Sequence, residues 1–571
     1  MAPRPEIPTE QAPPAALLRG VRYRYRRGEG PALDGVDLEV RPGEFVVVLG
    51  PSGAGKSTLC LTLNGLIPHF LRGRLEGEVA VFGVPVGHTR VPDLARRVGL
   101  VFQDFEAQLF ATSVELEVAF GMENFGIPVE VMRSRVAQAL RTVQLEGLER
   151  REPATLSGGQ KQRLAIGAVL ALEPDLLVLD EPTTDLDPEG TAQVFRTADR
   201  IRERGGTLLV VEHETEEAVK ADRVLVMEGG RIVESGAPQE VLVRSARLRD
   251  RGIRPVGAAE LLEALGEPPL LDPGEAETHL RTRGWRVPDE IWKQLLLGDA
   301  LPEKGLPLLQ LDEVEYLYPG GVQALAGVDL TIRQGESVGL VGGNGSGKTT
   351  LMKHLNGLLR PTAGRVLLEG RPTTELGVRE LGLRVGYVFQ NPDHQIFAET
   401  VREEVAFALT NHGVAPNEVE RRVTEALEAV GLDGKDEEDP FTMSKGERQR
   451  VAVASVLATR AEVIVMDEPT TGLDHGEQQA MMALVAALNA SGHTIVLATH
   501  AMWVVAEHCR RTVVMAGGRV LANGPTREVF GAEETLARAD LRPPHVVGIT
   551  TRLGRTLLSV EEARRALVRE G

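Results

Sequence analysis

The sequence predicts an α/β protein that contains two copies of one domain, and three observations lead to this expectation. VFQDFEAQLFATSVELEVAFG from Val101 returns as VFQNPDHQIFAETVREEVAFA from Val388, 287 positions later. In each copy an apolar run ends in glycine and precedes a glycine-rich loop and an apolar-periodic segment, the pattern of a buried parallel strand, a loop and a helix. Hydrophobic residues make up 42% and aromatic residues 4% of the 571 residues, which is enough for two aliphatic cores.

The repeat also sets the predicted domain boundaries. LLDPGEAETHL from Leu270 returns as LLSVEEARRAL from Leu557 at the same spacing, so each copy should have its own C-terminal extension that begins a helix. Trp285 and Trp292 lie between the copies, and we expect this linker to pack. We predict a disordered arm (1–15), a first domain (16–242) with its extension (243–283), a linker (284–307), and a second domain (308–529) with its extension (530–571).

Bulk properties exclude several classes of function. The net charge of -18 argues against a nucleic-acid-binding face, which would be basic. No segment approaches the roughly 18 apolar residues that cross a bilayer, and the N-terminus does not have the pattern of a signal peptide. Cys60 and Cys509 lie far apart, which predicts neither a metal site nor a disulfide framework and fits a cytosolic chain. Any membrane role should therefore depend on a partner.

Each copy contains a predicted phosphate-binding loop. GPSGAGKST and GGNGSGKTT both match G-x-x-x-x-G-K-[ST] between a strand and a helix. Glycines let backbone N–H groups turn toward phosphate oxygens, the lysine reaches the β- and γ-phosphates, and the hydroxyl after it binds Mg²⁺. A chance glycine-rich turn would not be expected twice in this context. The predicted residues are Gly50, Pro51, Ser52, Gly53, Ala54, Gly55, Lys56, Ser57 and Thr58, and Gly342, Gly343, Asn344, Gly345, Ser346, Gly347, Lys348, Thr349 and Thr350.

Two further apolar strands should end in adjacent acids, in LLVLDEP and VIVMDEP. Consecutive strand residues point to opposite faces, so the two acids should have different roles. We expect Asp180 and Asp467 to orient the Mg²⁺ shell, and Glu181 and Glu468 to polarise the attacking water as general bases.

Another strand in each copy ends in histidine, in TLLVVEH and TIVLATH. A lone histidine there is more often a surface residue with a local partner. The recurrence of His213 as His500 after a matching strand favours a role in sensing the γ-phosphate.

LSGGQKQRLAIGAVLA from Leu156 is identified as the signature motif of ABC ATPases. With Gln103, the D-loop at Asp185–Asp187 and His213, the first copy resembles these enzymes in every motif; the second supplies Gln390, MSKGERQR from Met443, Gly472–Asp474 and His500. The resemblance implies two tandem P-loop NTPase domains of ABC type, each with a RecA-like core, an antiparallel β subdomain and a helical signature subdomain. It also implies ATP hydrolysis, with ATP and Mg²⁺ as cofactors.

The resemblance assigns further residues. Tyr25 and Tyr318 would stack on adenine, and Gln103 and Gln390 would approach the metal. The signature residues Ser157, Gly158, Gly159 and Gln160, and Ser444, Gly446 and Glu447, would bind the γ-phosphate from a helix start.

ABC ATPases clasp each ATP between the P-loop of one copy and the signature of the other. Site one would combine Lys56, Gln103, Asp180, Glu181 and His213 with Ser444 and Gly446. Site two would combine Lys348, Gln390, Asp467, Glu468 and His500 with Ser157, Gly158 and Gly159. Lys445 replaces Gly158 in the second signature and adds bulk where a backbone approaches phosphate, so we expect site one to be slower.

A finer resemblance is to the ATPases of energy-coupling factor (ECF) importers, carried by FQDFEAQLFATSVELEVAFG from Phe102 and FQNPDHQIFAETVREEVAF from Phe389. It implies a peripheral location on the cytoplasmic face of the plasma membrane and two membrane partners, a transmembrane coupling subunit and a substrate-binding subunit. The transported solute would be a vitamin, a vitamin precursor or a metal ion.

Two acids near the Q-loop glutamines are candidates for contact with the coupling subunit. Glu106 and Asp393 each lie three residues after the glutamine, and we expect them to meet basic residues of that partner. Solvated surface acids are an equally good interpretation. The alternative function is that of a soluble twin-cassette ATPase acting on ribosomes or DNA, but no long charged arm, zinc-binding cysteines or coiled-coil insertion is visible.

Overall fold

A computed structural model of the chain describes residues 13–26, 28, 30–184, 186–299 and 306–570. The chain forms two compact units. The first extends to Glu260 and includes Pro269–Leu271, and the second comprises Leu261–Pro268 and the chain from Asp272 onward. Most of the predicted arm, Asp185 of the first D-loop and residues 300–305 of the predicted linker lie outside the described residues. The predicted first extension, 243–283, is divided between the units.

The first unit contains an antiparallel sheet and a mainly parallel sheet. Its strands are β1 (Ala16–Tyr25), β2 (Leu33–Val40), β3 (Phe45–Leu49), β4 (Gly73–Val81), β5 (Val84–Pro85), β6 (Val98–Val101), β7 (Leu176–Asp180), β8 (Thr207–Val211), β9 (Arg223–Glu228) and β10 (Arg231–Gly236). The antiparallel sheet has the order β2-β1-β4-β5, and the larger sheet has the order β10-β9-β3-β8-β7-β6. Strands β3, β7 and β8 are buried on both faces, which explains their uninterrupted apolar sequences.

Helices flank this sheet and build a separate subdomain. They are α1 (Lys56–Leu63), α2 (Leu66–His69), α3 (Val91–Leu94), α4 (Val114–Asn124), α5 (Val129–Thr142), α6 (Gly158–Leu170), α7 (Pro188–Glu203), α8 (Thr215–Ala218), α9 (Pro238–Val241), α10 (Ser245–Asp250) and α11 (Gly257–Ala264), which contains the unit boundary. Helices α4 and α5 pack against α6, so the predicted signature helix belongs to a helical subdomain.

The second unit repeats this architecture. Its strands are β11 (Trp285–Arg286), β12 (Pro307–Leu317), β13 (Gln323–Arg333), β14 (Ser337–Val341), β15 (Ala363–Leu368), β16 (Arg371–Pro372), β17 (Val385–Val388), β18 (Val463–Asp467), β19 (Thr494–Ala498), β20 (Arg511–Ala516), β21 (Arg519–Pro525) and β22 (Val568–Arg569). The sheets β13-β12-β15-β16 and β21-β20-β14-β19-β18-β17 have the same strand order as those of the first unit. The predicted α/β class with two tandem P-loop domains is therefore confirmed.

The helices of the second unit are α12 (Pro273–Thr282), α13 (Asp289–Gly298), α14 (Lys348–Leu355), α15 (Val378–Arg384), α16 (Val401–Asn411), α17 (Pro416–Ala429), α18 (Lys445–Ala458), α19 (His475–Ala490), α20 (Met502–His508), α21 (Thr526–Gly531), α22 (Glu533–Arg538), α23 (His545–Arg552) and α24 (Val560–Ala566). Helices α16 and α17 pack against α18, as their counterparts do around α6. No helix in the described part of the chain has both the length and the apolar character needed to span a bilayer.

Both tryptophans of the predicted linker are packed within the second unit. Strand β11 pairs with β22 near the C-terminus, and Trp285 donates its indole N–H to Glu267 at 3.0 Å. The guanidinium groups of Arg527 and Arg555 lie over the Trp292 ring, 5.6 and 5.0 Å from its centre. This segment therefore packs against both predicted extensions and against Arg527.

Candidate active sites

The glycine-rich loops follow β3 and β14 at the carboxyl ends of the parallel strands, where ligands bind in open α/β sheets. Gly55 and Gly347 precede α1 and α14 with φ values of 96° and 103°. A Cβ atom at Gly55 would lie 2.3 Å from the carbonyl oxygen of Ala32, and one at Gly347 would lie 2.5 Å from that of Ala324. Only glycine fits these positions, because both the left-handed backbone and the close approach exclude a side chain.

Each P-loop lysine points into its own loop. The buried Nζ of Lys56 donates to the carbonyl oxygens of Gly50 and Pro51 at 2.8 and 3.0 Å. Lys348 makes the same two contacts in the second unit, at 2.7 Å to Gly342 and 3.1 Å to the residue after it. The ammonium group is thereby held among backbone groups at a helix N-terminus, an environment suited to phosphate.

The two tyrosines predicted to stack on adenine lie beside the P-loop helices. The hydroxyl group of Tyr25 is 3.1 Å from that of Thr58, and the hydroxyl group of Tyr318 is 3.1 Å from that of Thr350. Both threonines belong to the predicted phosphate-binding set, so the structure brings each tyrosine to its loop.

In the first unit, Glu181 is the centre of the candidate site. Gln103 donates its amide N–H to Oε2 of Glu181 at 2.6 Å, and Nε2 of His213 lies 2.8 Å from Oε1. Ser57 donates its hydroxyl to Oδ1 of Asp180 at 3.2 Å. Residues from four separate sequence motifs therefore meet at the end of β7.

The second unit brings the corresponding groups together with different contacts. Nδ1 of His500 lies 3.0 Å from Oε1 of Glu468, whereas His213 uses Nε2. The backbone N–H of His500 also donates to Oε2 of Glu468 at 3.2 Å. Tyr387 donates its hydroxyl to Oδ2 of Asp467 at 3.0 Å, a contact that the sequence did not suggest. Gln390 lies in the loop just after β17.

The glutamates that follow the strand aspartates share an uncommon backbone conformation. Strands β7 and β18 end at Asp180 and Asp467, and the next residues, Glu181 and Glu468, both have a φ of 48°. The different directions of the two acids thus arise from a left-handed turn after the strand, and not from strand alternation alone. Such strain in a non-glycine residue is concentrated at functional sites.

Burial and charge set different protonation preferences for these acids. Burial raises the pKa of Asp180 to about 6 and also raises the pKa of Asp467. Burial would likewise raise the pKa of Glu468, but His500 and Lys348 outweigh it and the pKa is lowered. Glu468 is therefore ionised at neutral pH, as a general base must be.

The residues predicted to hold Mg²⁺ fit that ion. Among the described residues, none donates a hydrogen bond to the buried Oδ1 atom of Asp467, and a buried carboxylate oxygen without a partner is costly. A divalent cation, bound through hydroxyl and carboxylate oxygens and nucleotide phosphates, would satisfy it and neutralise charge on the phosphates. The fitting residues are Ser57, Gln103 and Asp180, and Thr349, Gln390 and Asp467.

The signature serines begin their helices as predicted. Ser157 and Ser444 are the N-caps of α6 and α18, and each forms a reciprocal capping box with Gln160 or Glu447. Gly158 and Gly159, and Gly446 in the second unit, lie in the first turns, where free N–H groups favour an anion.

The two signatures differ in their relation to the D-loop. Lys445 lies across Gly472 of its own unit, so close that a Cβ atom at Gly472 would be 2.3 Å from Nζ of the lysine. The bulkier signature residue is thus accommodated by a glycine in the D-loop. The corresponding residue of the first unit, Asp185, is outside the described part of the chain.

The structure reveals an anchored aromatic loop that the sequence analysis missed. The buried carboxylate of Glu117 accepts hydrogen bonds from the backbone N–H groups of Phe110 and Ala111 at 2.9 and 2.7 Å. Glu404 does the same for Phe397 and the next residue, at 2.9 and 3.0 Å. The repeated Phe–Glu spacing in the two FQ…VAF segments was the available signal.

A buried carboxyl group distinguishes the first unit near its histidine. Glu212, 2% exposed, precedes His213 and accepts from the Thr183 hydroxyl at 2.9 Å, whereas Thr499 has its position in the second unit. Burial raises the pKa of Glu212 well above its usual value. The folded protein therefore keeps a proton that the unfolded chain releases above its ordinary pKa of about 4.3, and stability falls as pH rises through this range.

Glu212→Gln should remove this pH-dependent loss of stability. We expect the melting temperature to exceed that of the parent protein by about 2–4 °C at pH 8, with the difference vanishing near pH 4. Thermal unfolding over this pH range tests the effect, with Glu130→Gln as a control at an exposed carboxylate. A difference that is the same at all pH values would contradict the assignment.

Comparisons with known proteins agree with this geometry. The family model described as ABC transporter matches residues 33–184 and 325–471. A protein of Caldanaerobacter subterraneus subsp. tengcongensis, provisionally named an ABC transporter ATP-binding protein, is 49% identical over 556 residues, which cover 96% of this chain and 97% of that protein. A protein of Methanosarcina acetivorans with the same provisional name is 40% identical over 560 residues, covering 94% of this chain and 90% of that protein.

Among solved structures, that of cbiO1 from Clostridium perfringens, part of the ABC transporter complex cbiONQ, is 34% identical and covers 43% of this chain and 98% of its own, with a TM-score of 0.38. The two ranges matched by the family model include both P-loops, both signature serines and the acids at the ends of β7 and β18. The chain therefore belongs to the ABC transporter family and is an ATPase with two ATP-binding cassettes in one polypeptide.

Proposed function

We propose that the chain is the ATP-hydrolysing subunit of an ECF-type importer. It would work at the cytoplasmic face of the membrane with a transmembrane coupling subunit and a substrate-binding membrane subunit, and drive uptake of a vitamin, a vitamin precursor or a metal ion. The observation that carries the proposal is an exposed aromatic pair beside the Q-loop that occurs at the same position in both cassettes.

The aromatic pairs have nearly the same geometry. Phe110 and Phe120 meet edge to face with ring centres 4.5 Å apart, and Phe397 and Phe407 do so at 4.4 Å. The four side chains are between 41% and 61% exposed. Exposed aromatic side chains held in a fixed arrangement favour a protein-binding surface, because burying them in a partner is strongly favourable.

A groove in the second cassette lies next to this surface. Its volume is about 250 Å³, and Tyr387, Gln395, Phe397 and Phe407 contribute to its lining. The lining joins strand β17 of the core to helices α16 and α18 of the signature subdomain. A partner helix seated there would touch both subdomains of this cassette.

Each aromatic pair is accompanied by an acid that already has a basic neighbour. Glu106 lies 2.8 Å from Nζ of Lys161, and Asp393 lies 2.7 Å from Nε of Arg448. The acids remain 58% and 43% exposed, so a basic group of the coupling subunit could share or replace these contacts. Exposed ion pairs are weak enough to exchange in this way.

The Q-loop connects this surface with Glu181, the expected general base. In the first cassette Gln103 contacts Glu181, and Glu106 follows only three residues later. Movement of a partner against Glu106 would therefore shift Gln103 relative to the general base. This connection supports coupling of hydrolysis to the motion of a membrane partner.

The double substitution Glu106→Lys and Asp393→Lys should weaken co-purification of the coupling subunit by about tenfold or more, because like charges would then face each other. ATP binding should be unchanged. The measurement is pull-down from detergent-solubilised membranes of cells that express the chain with its membrane subunits.

Glu78→Lys with Glu290→Lys makes the same charge change at exposed sites away from the Q-loops and is the matched control. Equal recovery of the membrane subunits with both double variants would contradict the docking proposal. Solute uptake by the assembled complex, measured with candidate vitamins, vitamin precursors and metal ions, tests the substrate class.

A further inference from the structure

The Mg²⁺-site aspartates of the two cassettes have different neighbours. Tyr387 lies on β17, which pairs in parallel with β18, and its hydroxyl donates to Oδ2 of Asp467 at 3.0 Å. The tyrosine is 8% exposed, so this hydrogen bond is shielded from water. The first cassette has Leu100 at the corresponding position, and a leucine side chain donates no hydrogen bond.

We propose that Tyr387 is a positioning residue that orients the Asp467 carboxylate for Mg²⁺ in the second cassette alone. The hydroxyl engages Oδ2 and restricts rotation of the carboxylate. The other oxygen, Oδ1, is buried and has no hydrogen-bond partner among the described residues. The hydrogen bond from Tyr387 thus fixes Oδ2, and Oδ1 is left to face the metal ion and its ligands. Hydrogen bonds to the residues that bind a metal ion change the affinity of the site for that ion.

In each cassette the hydroxyl side chain after the P-loop lysine also interacts with the aspartate, Ser57 with Asp180 and Thr349 with Asp467. Oδ1 of Asp180 accepts from the hydroxyl of Ser57 at 3.2 Å, and Ser57 is itself expected to bind the metal. Once these hydroxyl groups bind the metal, Asp467 keeps its hydrogen bond from Tyr387, whereas Leu100 offers none to Asp180. The second site should therefore bind Mg²⁺ more tightly than the first. This inference rests on the assignment of the chain as an ATPase and does not depend on the importer proposal.

Mn²⁺ binding provides a readout that is separate from hydrolysis. With the full chain saturated by a non-hydrolysable ATP analogue, free Mn²⁺ is measured by electron paramagnetic resonance during a titration. The parent protein should show two affinities, and Tyr387→Phe should weaken the tighter one about tenfold while leaving the other unchanged. Tyr387→Leu, which copies the residue of the first cassette, should act in the same way.

Two further variants, each of which lacks the general base of one site, show which of the two sites Tyr387 affects. With Glu181→Gln present, Tyr387→Phe should raise the Mg²⁺ concentration for half-maximal ATP hydrolysis about tenfold. With Glu468→Gln present, it should have no effect on the remaining hydrolysis. Tyr23→Phe, which removes a hydroxyl bonded to the carbonyl oxygen of Leu71 at 3.1 Å, controls for the loss of one tyrosine hydrogen bond.

The proposal is overturned if Tyr387→Phe and Tyr387→Leu leave both Mn²⁺ affinities unchanged, or shift both equally. A lower melting temperature with unchanged Mn²⁺ binding would likewise overturn it, because the hydrogen bond would then serve stability alone.

Discussion

Replacing Glu468 by glutamine should lower the steady-state rate of ATP hydrolysis by about 100-fold or more. Glu181→Gln should cost considerably less, since we expect site two to carry most of the turnover. Glu468 is kept ionised by His500 and Lys348. Glu181 belongs to site one, which we predict from the sequence of the second signature to be the slower site. Phosphate release at saturating MgATP measures both variants.

Nucleotide affinity should be unchanged in both glutamine variants, because they remove a base and not a binding group. Glu462→Gln, at an exposed acid that pairs with Arg384, is a control for carboxylate loss outside the sites. If Glu181→Gln lowers hydrolysis as much as Glu468→Gln, or more, the idea of a slower site one fails.

Gly347→Ala should abolish nucleotide binding to the second P-loop and destabilise the second unit by about 2–4 kcal/mol. Alanine would have to adopt a φ of 103°, and its Cβ atom would lie 2.5 Å from the carbonyl oxygen of Ala324. The loop must therefore move, which displaces the N–H groups that cradle phosphate. Binding of a fluorescent ATP analogue in a Lys56→Ala background isolates the second loop.

Gly377→Ala is the matched control for this substitution. Gly377 has a φ of -70°, and no atom lies within 4 Å of an added Cβ, so the substitution should cost only about 1 kcal/mol, the usual loss for alanine at a helix N-cap. Unaltered analogue binding by Gly347→Ala would show that the loop tolerates a side chain, and would contradict the packing argument.

Local motifs predicted the P-loop and strand-end residues, and the family resemblance added the distant Gln103 and His213 to the same site. Lys56 and Ser57 occur in one loop, and Asp180 and Glu181 follow one strand, so local pattern and strand ends were sufficient. The contact of Tyr387 with Asp467 joins residues 80 positions apart. It depends on β17 lying beside β18, and strand order is not encoded in local periodicity.

The packing of the predicted extensions depends on contacts that the repeat does not encode. The repeat indicated an extension for each copy, but similarity between segments does not say against which unit a segment packs. Strand β11 and α12 lie in the second unit because of long-range contacts, namely the pairing of β11 with β22 and the packing of α12 against α23. Tertiary packing, and not local propensity, decides such placements.

The buried carboxylates of Glu117 and Glu404 have a consequence for recognition kinetics. Each carboxylate accepts hydrogen bonds from two successive backbone N–H groups. The loops that contain Phe110 and Phe397 are therefore held in place before a partner protein binds. A docking protein would lose little loop entropy on these loops, so association should be limited by diffusion and orientation and not by a slow refolding of the surface.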